Sequence, residues 1–435
     1  MKRLIVVLLV AVFLGAVCQP APAAAPAAKE KVSLTIWLGV SGLVPTFQAA
    51  IPEFQKKYPD ANVEVLAFPL REAERKIALA LGASTGPDIF MLTPQFTLGY
   101  IQKGFIEPPP SGVVDFVKQS TYKATAERVI ADGKVWGVPF FHGHILLYWN
   151  KKHFAEAGLS GPPKTWEDLT AYTKKLAKYD AAGAVTRSGI SLRLTDDSGA
   201  AQKFEVFLRQ AGGLIVEPTP DGKWRAGYNN EAGRDALRLF LDLIWKHKVT
   251  SHAIKGDFMG FAEGVTSMVQ RESFVINYLA KNAPGVEYGI AEVPRSKHEG
   301  TIGWSHALWV PKTARSKQAA WDYVLTVMKP EYAVQQQLQG DGWTYSRSDL
   351  DLTPVYAKLP LHKAFAETMA KPGYVHMENC LVPADEIWTK FAQKMATAWK
   401  TPTLVDNPAG IAKALADAAA ETDAILKREG LYGGK

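Results

Sequence analysis

The stretch that most constrains this chain is Asp132-Gly133-Lys134-Val135-Trp136-Gly137-Val138-Pro139, which runs on to Tyr148-Trp149-Asn150-Lys151. A Gly-bearing turn leads into a short apolar segment. A polar break at His142-Gly143-His144 follows, and then a second apolar segment. Two strands in line, with a small polar joint between them, are what a hinge between two lobes requires, because hinges are a few local positions that absorb backbone rotation. The chain is therefore expected to close around something. At 435 residues it is also too long for one ordinary core, and two domains are expected.

The N-terminal residues read as processing signals. Lys2-Arg3 is a basic start, and Leu4 to Val17 is an apolar run of signal-peptide length, too short to span a bilayer comfortably. Small residues follow, so export to the periplasm or the outer face of the cytoplasmic membrane is expected. Cys18 sits where a lipid anchor would be, with the Pro/Ala-rich run Gln19 to Ala28 as tether. Gly15-Ala16-Val17 departs from the usual residues before such a cysteine, so cleavage at a small-residue site is the alternative. Residues 1–28 are set aside as signal and linker. Cleavage after Cys18 leaves only Cys380, so no intramolecular disulfide is expected, and a core of this size does without one. The charge of +7 is small for the length and comes with no basic block, which argues against nucleic acid. The 12 Trp are many, and each needs a core slot or a flat ligand to stack on.

Along the chain, Val32, Leu34, Ile36 and Leu38 alternate with polar residues and Trp37, which predicts a strand. Phe47, Ile51, Phe54 and Tyr58 recur at helical spacing, with Pro52 expected to kink that helix. Val63 and Val65 mark a second strand, Glu72 to Leu81 a helix, and the continuous apolar run Ile89-Phe90-Met91-Leu92 a buried parallel strand. This alternation implies a doubly wound α/β lobe, with ligand beyond the carboxyl ends of its strands at Trp37–Ser41, Phe68–Arg71 and Thr93–Phe96. Further on, Thr165-Trp166-Glu167-Asp168 is a capping box, Phe204 to Gln210 a helix ended by Gly212-Gly213, and Asp235 to Trp245 another helix. Ser316 and Asn407-Pro408 are read as helix caps.

These elements resemble the extracellular solute-binding proteins of ABC importers, of the kind that bind maltodextrins and other sugars. The matching segments are the strand ending in Trp37, Phe54 to Pro59, Gly86-Pro87-Asp88-Ile89-Phe90, Asp132 to Pro139, Tyr148 to Lys151, Gly158-Leu159 with Pro162 to Asp168, and Gly303 to Lys312 running into Ala319-Ala320-Trp321-Asp322. Their shared order covers nearly the whole chain after the signal. The resemblance implies a two-lobe periplasmic-binding-protein fold (type II) with three crossings, near Phe141–His144, Ile302–His306 and Val327–Glu331. Lobe one would comprise 30–141 plus 306–327, and lobe two 145–302 plus 331–430. It also implies a monomer that is not an enzyme, needs no cofactor, binds a carbohydrate in the interlobe cleft and delivers it to the transmembrane permease. Two departures fall near the expected site. Glu272-Ser273-Phe274 stands where the family often has Gly-x-Trp, so Phe274 would replace a stacking Trp, and Gly342-Trp343-Thr344-Tyr345 lacks a Pro common after the Gly of a late loop.

A sugar site needs aromatic platforms together with amides, carboxylates and hydroxyls. Trp37 at a strand end is either a platform or a cap on the core, with Ser41 in the loop beyond it. Gln95, by family position, and Gln202, near a helix start, would offer amides. Phe274 and Trp388 are stacking candidates by the resemblance, set against core packing. Trp304 and Trp343 lie in Gly-flanked loops, where a large apolar group calls for a partner. His142 and His144 on an extended segment would place both imidazoles on one face, with His306 joining them from the neighbouring crossing. Sugar contact or hinge polarity is one reading of these histidines and a metal site the other. With Arg71 and Arg271 they would also suit an anionic sugar or a phosphorylated polyol. An exported hydrolase is the rival class. Gly82-Ala83-Ser84-Thr85-Gly86 matches the spacing of a nucleophile elbow, but it follows a helix and precedes a strand, the reverse of what an elbow needs.

Overall fold

The computed structural model describes residues 31–381 and 383–434. The signal, the tether and Cys18 lie outside the described residues. The N-terminal half opens with β1 (Ser33–Leu38), α1 (Val44–Gln55), β2 (Asn62–Ala67), α2 (Leu70–Gly82), β3 (Ile89–Leu92) and α3 (Pro94–Gln102). Strand β1 pairs in parallel with β2 on one side and β3 on the other, as a doubly wound lobe demands. All four residues of β3 are buried, and each such apolar side chain contributes about 1.5–3 kcal/mol over leaving it exposed. Helix α1 continues through Pro52. Ser84 has a left-handed backbone (φ 57°) in the turn after α2.

The hinge motif begins with a hairpin, Ile130–Ala131 against Lys134–Val135, turned at Asp132-Gly133. Strand β4 (Val138–His144) and strand β5 (Leu146–Asn150) then follow almost without interruption. The expected polar break is therefore part of a strand, and the joint falls at Ile145. Phe140 and Phe141 belong to one hydrophobic core and Ile145 and Leu147 to another, so the chain changes core within four residues.

After α4 (Trp166–Leu176), α5 (Ser198–Ala211), α6 (Glu231–Leu241), β6 (Met268–Arg271), α7 (Phe274–Asn282) and β7 (Tyr288–Ala291), strand β8 (Thr301–Trp309) makes the return. Its Ile302 lies in the second core and its Ala307, Leu308 and Trp309 in the first. Strand β8 pairs antiparallel with β4 over both halves, with a bulge between His306 and Ala307, and then with β3. Gly137 is required here, since a Cβ on it would lie 2.5 Å from the Trp309 ring.

Helices α8 (Lys317–Val327) and α9 (Pro330–Gln339) and strand β9 (Thr344–Tyr345) follow. Ala333 and Tyr345 lie in the first core, and β9 pairs with β4. The chain was expected to enter lobe two at 331. Instead it stays with the first core past Tyr345, because Pro330 starts a new helix that packs on α1 and does not cross over. Helix α10 (His362–Ala370), whose Phe365 packs with Leu146 and Tyr148, strand β10 (Val375–Met377), helix α11 (Ala384–Trp399) and helix α12 (Pro408–Arg428) complete the second lobe. The larger sheet runs β9-β4-β8-β3-β1-β2, with β10 beside β8; β6-β5-β7 is a separate three-stranded sheet. The local signals hold in detail: Thr165 and Asp168 form a reciprocal capping box, and Asn407 accepts from the Gly410 amide at 2.9 Å. Ser316 stands at a helix start, but its side chain makes no cap.

Candidate functional site

Between the two cores lies a cleft of about 590 Å³, within the range of roughly 300–1,000 Å³ usual for small-ligand sites. All three expected strand ends reach it: Val40 after β1, Leu70 and Arg71 after β2, and Thr93, Gln95 and Phe96 after β3. This follows from parallel strands, whose carboxyl ends all open on the same side.

Of the eleven residues singled out from the sequence, seven line the cleft: Gln95, Gln202, Phe274, Trp304, His306, Trp343 and Trp388. Four do not. Trp37 turns to Phe68, at 5.5 Å between ring centroids and 75° between planes, and Ser41 is exposed on a short helical turn. His142 and His144 are buried behind the hinge strand. His142 packs edge-on to Tyr122, and His144 bonds Thr368 Oγ1 at 2.8 Å. The pleat explains the split. His142 and His144 do share one face, with rings 5.9 Å apart, but Phe141 and Gly143 occupy the other face, and that is the one turned to the cleft. His306 pairs with Phe141 and so sits on the cleft side. The three imidazoles therefore do not converge on one point. Among the described residues, no group of three or more His, Cys, Asp or Glu side chains is arranged to hold a metal ion. Burial keeps His142 neutral, with a pKa of about 3, and lowers that of His306 to about 4.

The floor of the cleft is an aromatic column. His306 stacks on Phe141 at 4.7 Å, Phe141 on Trp343 at 5.1 Å, and Trp343 meets Phe274 at 5.1 Å. The first three rings come from the hinge strands and the first lobe, the fourth from the second lobe. Gly143 admits the column: a Cβ there would lie 2.9 Å from Trp343 and 3.2 Å from Trp304. Trp343 is thus flanked by Phe141 and Phe274 and stays half-buried. Trp388 is buried, its Nε1 donating to Glu205 at 3.1 Å. The half-buried rings at the cleft wall are Phe96, Phe274, Trp304 and Trp343.

Sequence reasoning missed the charged framework behind the second-lobe wall. Lys203 Nζ lies 2.5 Å from Glu272, both buried, and 5.2 Å from the Trp304 ring. Arg271 pairs with Glu272 at 2.9 Å and Asp257 at 3.1 Å, and stacks over Phe274 at 5.0 Å. Arg193 reaches Asp197 at 3.0 Å. Burial pushes the Glu272 carboxyl up, but Arg271 and Lys203 outweigh it and hold the group below the usual carboxylate range. A signal for this framework existed: Lys203 and Glu205 interrupt the apolar run Phe204, Val206, Phe207, Leu208 on a helix buried nearly all round. Glu378 is the other omission. Burial, with Glu205 nearby, raises its pKa to about 8, and its Oε2 accepts from Gln95 of the opposite lobe at 3.0 Å while Oε1 is buried without a partner. Arg71 also crosses the cleft, to Ser198 at 2.9 Å and Asp385 at 3.2 Å.

Residues 49–364 match the model of the bacterial extracellular solute-binding protein family, and the chain belongs to that family. It is 22% identical over 391 residues to a Brucella abortus protein named as a binding protein, covering 88% of this chain and 90% of that one. Among solved structures it is similar to an ABC substrate-binding protein of Listeria monocytogenes in complex with cycloalternan (TM-score 0.75, 18% identity, covering 92% of this chain and 100% of that one). It is likewise similar to the cyclic alpha-maltosyl-1,6-maltose binding protein of Arthrobacter globiformis (TM-score 0.75, 23% identity, 91% and 99%). The fold is thus the two-lobe type II architecture of ABC substrate-binding proteins.

Proposed function

We propose that this protein is the exported, non-enzymatic receptor of an ABC importer, a monomer that captures a carbohydrate between its lobes and hands it unchanged to the membrane permease. The observation that carries the reading is the cleft wall itself, where half-buried rings of Phe96, Phe274 and Trp304 alternate with the polar groups of Gln95, Gln202, Glu378 and Asn379. Sugars present flat apolar faces and hydroxyl edges, and such a wall meets both. The sugars named for the Listeria and Arthrobacter proteins support the same class. A neutral ligand fits better than an anionic one, because Arg71, Arg193, Lys203 and Arg271 each already face a carboxylate. Contacts such as Arg71 to Asp385 and Gln95 to Glu378 join the lobes in this arrangement, so a ligand touching both walls would shift the population toward it.

A thermal-shift screen against mono-, oligo- and acidic saccharides and polyols tests the reading. A neutral saccharide at a hundred- to thousandfold excess over its Kd should stabilise by roughly 3–4 kcal/mol. A shift only with acidic ligands would move the assignment to an anionic sugar, and product formation from a glycan would replace it with a hydrolase.

A further inference from the structure

The carboxylates that line the main cleft are paired with cations, save one. Glu74 and Asp385 pair with Arg71, Asp197 with Arg193, and Glu272 with Lys203 and Arg271. Glu378, which follows directly on β10, has only the Gln95 amide, at 3.0 Å from its Oε2, while its Oε1 has no partner. It is buried all the same. Two first-lobe side chains cover it: Gln95 meets the carboxyl, and Arg128, beside Val129 of the first core, donates from Nη1 to the Glu378 backbone carbonyl at 3.4 Å. From its own lobe the carboxyl faces Gln202, Lys203 and Glu205 of α5, while Asp385 on α11 turns to Arg71. Its titratable neighbours along the chain are His376 and Cys380. Burial holds the His376 imidazole neutral, at about 4, and the Cys380 thiol protonated, at about 11, so neither changes charge between pH 6 and 9.

A buried carboxylate without a cation is costly, and burial with Glu205 nearby raises the Glu378 carboxyl to about 8. The first-lobe share of that burial lasts only while the lobes meet. When they part, Gln95 and Arg128 leave with the first lobe, water reaches the carboxyl, and its pKa falls back toward the ordinary 4.5. Glu205 does not follow, because its oxygens are held within its own lobe by the Ile215 amide at 3.0 Å and Trp388 Nε1 at 3.1 Å. Resting on the reading of interlobe capture above, we infer that closing of the lobes on a sugar takes up a proton from solvent onto Glu378, so that capture is proton-linked, tight in mildly acidic medium and weaker in alkaline. The carboxylate becomes a carboxylic acid. The proton sits on Oε1, since Oε2 is engaged by Gln95, and no bond of the sugar changes. A carboxyl whose pKa is higher in the closed form favours that form at low pH, and the preference is lost as the pH rises through about 8.

A neutral sugar brings no titratable group, so any proton taken up on binding goes to the protein. The test is calorimetric titration with maltotriose and mannotriose at pH 7 in phosphate and in Tris, buffers whose protonation heats differ, together with Kd measured from pH 6 to 9. The wild-type protein should take up about one proton per sugar bound, and its Kd should rise by up to about tenfold per pH unit as far as pH 8 and level off above it. Glu378→Gln should abolish the uptake and flatten Kd against pH. Glu205→Gln removes only the neighbouring like charge, so it should keep the uptake and move its midpoint to lower pH; this second variant decides the matter if the first fails to fold. Equal heats in the two buffers, uptake that survives Glu378→Gln, or uptake lost in Glu205→Gln would overturn the linkage and leave the carbohydrate reading intact. Binding of neither sugar, nor of any other neutral saccharide in the thermal-shift screen, would overturn both.

Discussion

On the second-lobe side of the cleft, Glu272 is held between Lys203 and Arg271, with side chains 2%, 7% and 10% exposed, and this cluster backs the Phe274 and Trp304 rings. On the first-lobe side, Arg71 is half exposed; it pairs with Glu74 on its own helix at 3.0 Å and also reaches across the cleft to Ser198 and Asp385, as Gln95 reaches across to Glu378. The contrast separates two tasks. A buried, mutually paired ion cluster fixes ring orientation before ligand arrives, whereas the contacts that Arg71 and Gln95 make to the opposite lobe form only when the lobes meet. One wall is built to be rigid and the other to engage.

The largest effect expected from this contrast is in stability. Glu272→Gln leaves Lys203 buried without its counter-charge and should cost about 3–5 kcal/mol in urea unfolding, against about 0–1 kcal/mol for Arg71→Ala, whose pair with Asp385 is solvated. Equal costs would erase the distinction between the walls. Next, Phe274→Ala should weaken saccharide binding by about 1–2 kcal/mol, read by titration, since it removes one of the ring faces turned to ligand. Unchanged affinity would reduce Phe274 to a column spacer. Arg71→Ala should weaken binding by up to about fivefold, through faster dissociation. An effect confined to the association rate would mean that Arg71 steers ligand and does not hold the closed form.

The smallest expected effect is on pH dependence. Burial raises the Glu378 carboxyl from its ordinary 4.5 to about 8. A folded pKa above the unfolded one contributes stability that is complete below about pH 4.5 and lost as the pH rises through about 8. The fall in Tm between pH 6 and 9 should therefore be shallower in Glu378→Gln than in the wild type. Some fall should remain, because Glu205, raised by burial to about 7, titrates in the same window. Identical slopes would show that Glu378 is already ionised across that range.

Much of the fold was legible because its signals are local. Ile89 to Leu92 reads as a buried strand from four consecutive apolar residues, and Thr165 with Asp168 caps a helix by spacing alone. The first crossing was legible to within a residue, at Ile145 just past the His-Gly-His segment, whereas the third, expected near Val327–Glu331, falls after Tyr345. Of the seven candidate residues that line the cleft, Trp343 lies in a Gly-flanked loop as expected, Gln95, Phe274 and Trp388 came from the resemblance, and Trp304 lies within β8, not in a loop. The histidines went astray for a tertiary reason. Spacing shows that His142 and His144 share a face, but which face meets the cleft depends on what packs over each: Tyr122 lies against His142, and Thr368 and Phe365 against His144. Lys203, Glu205 and Glu272 were passed over because charged residues on helices and turns are ordinarily solvated, and only the packing of the second core shows them buried.

The claim that two dissimilar walls close on an unaltered sugar is most directly tested by calorimetric titration of the purified protein with neutral saccharides, since heat flow reports capture and turnover together. The account predicts, for at least one oligosaccharide, heats that saturate at one ligand per protein and then cease. Sustained heat production after saturation, or saturation only with charged ligands, would contradict it.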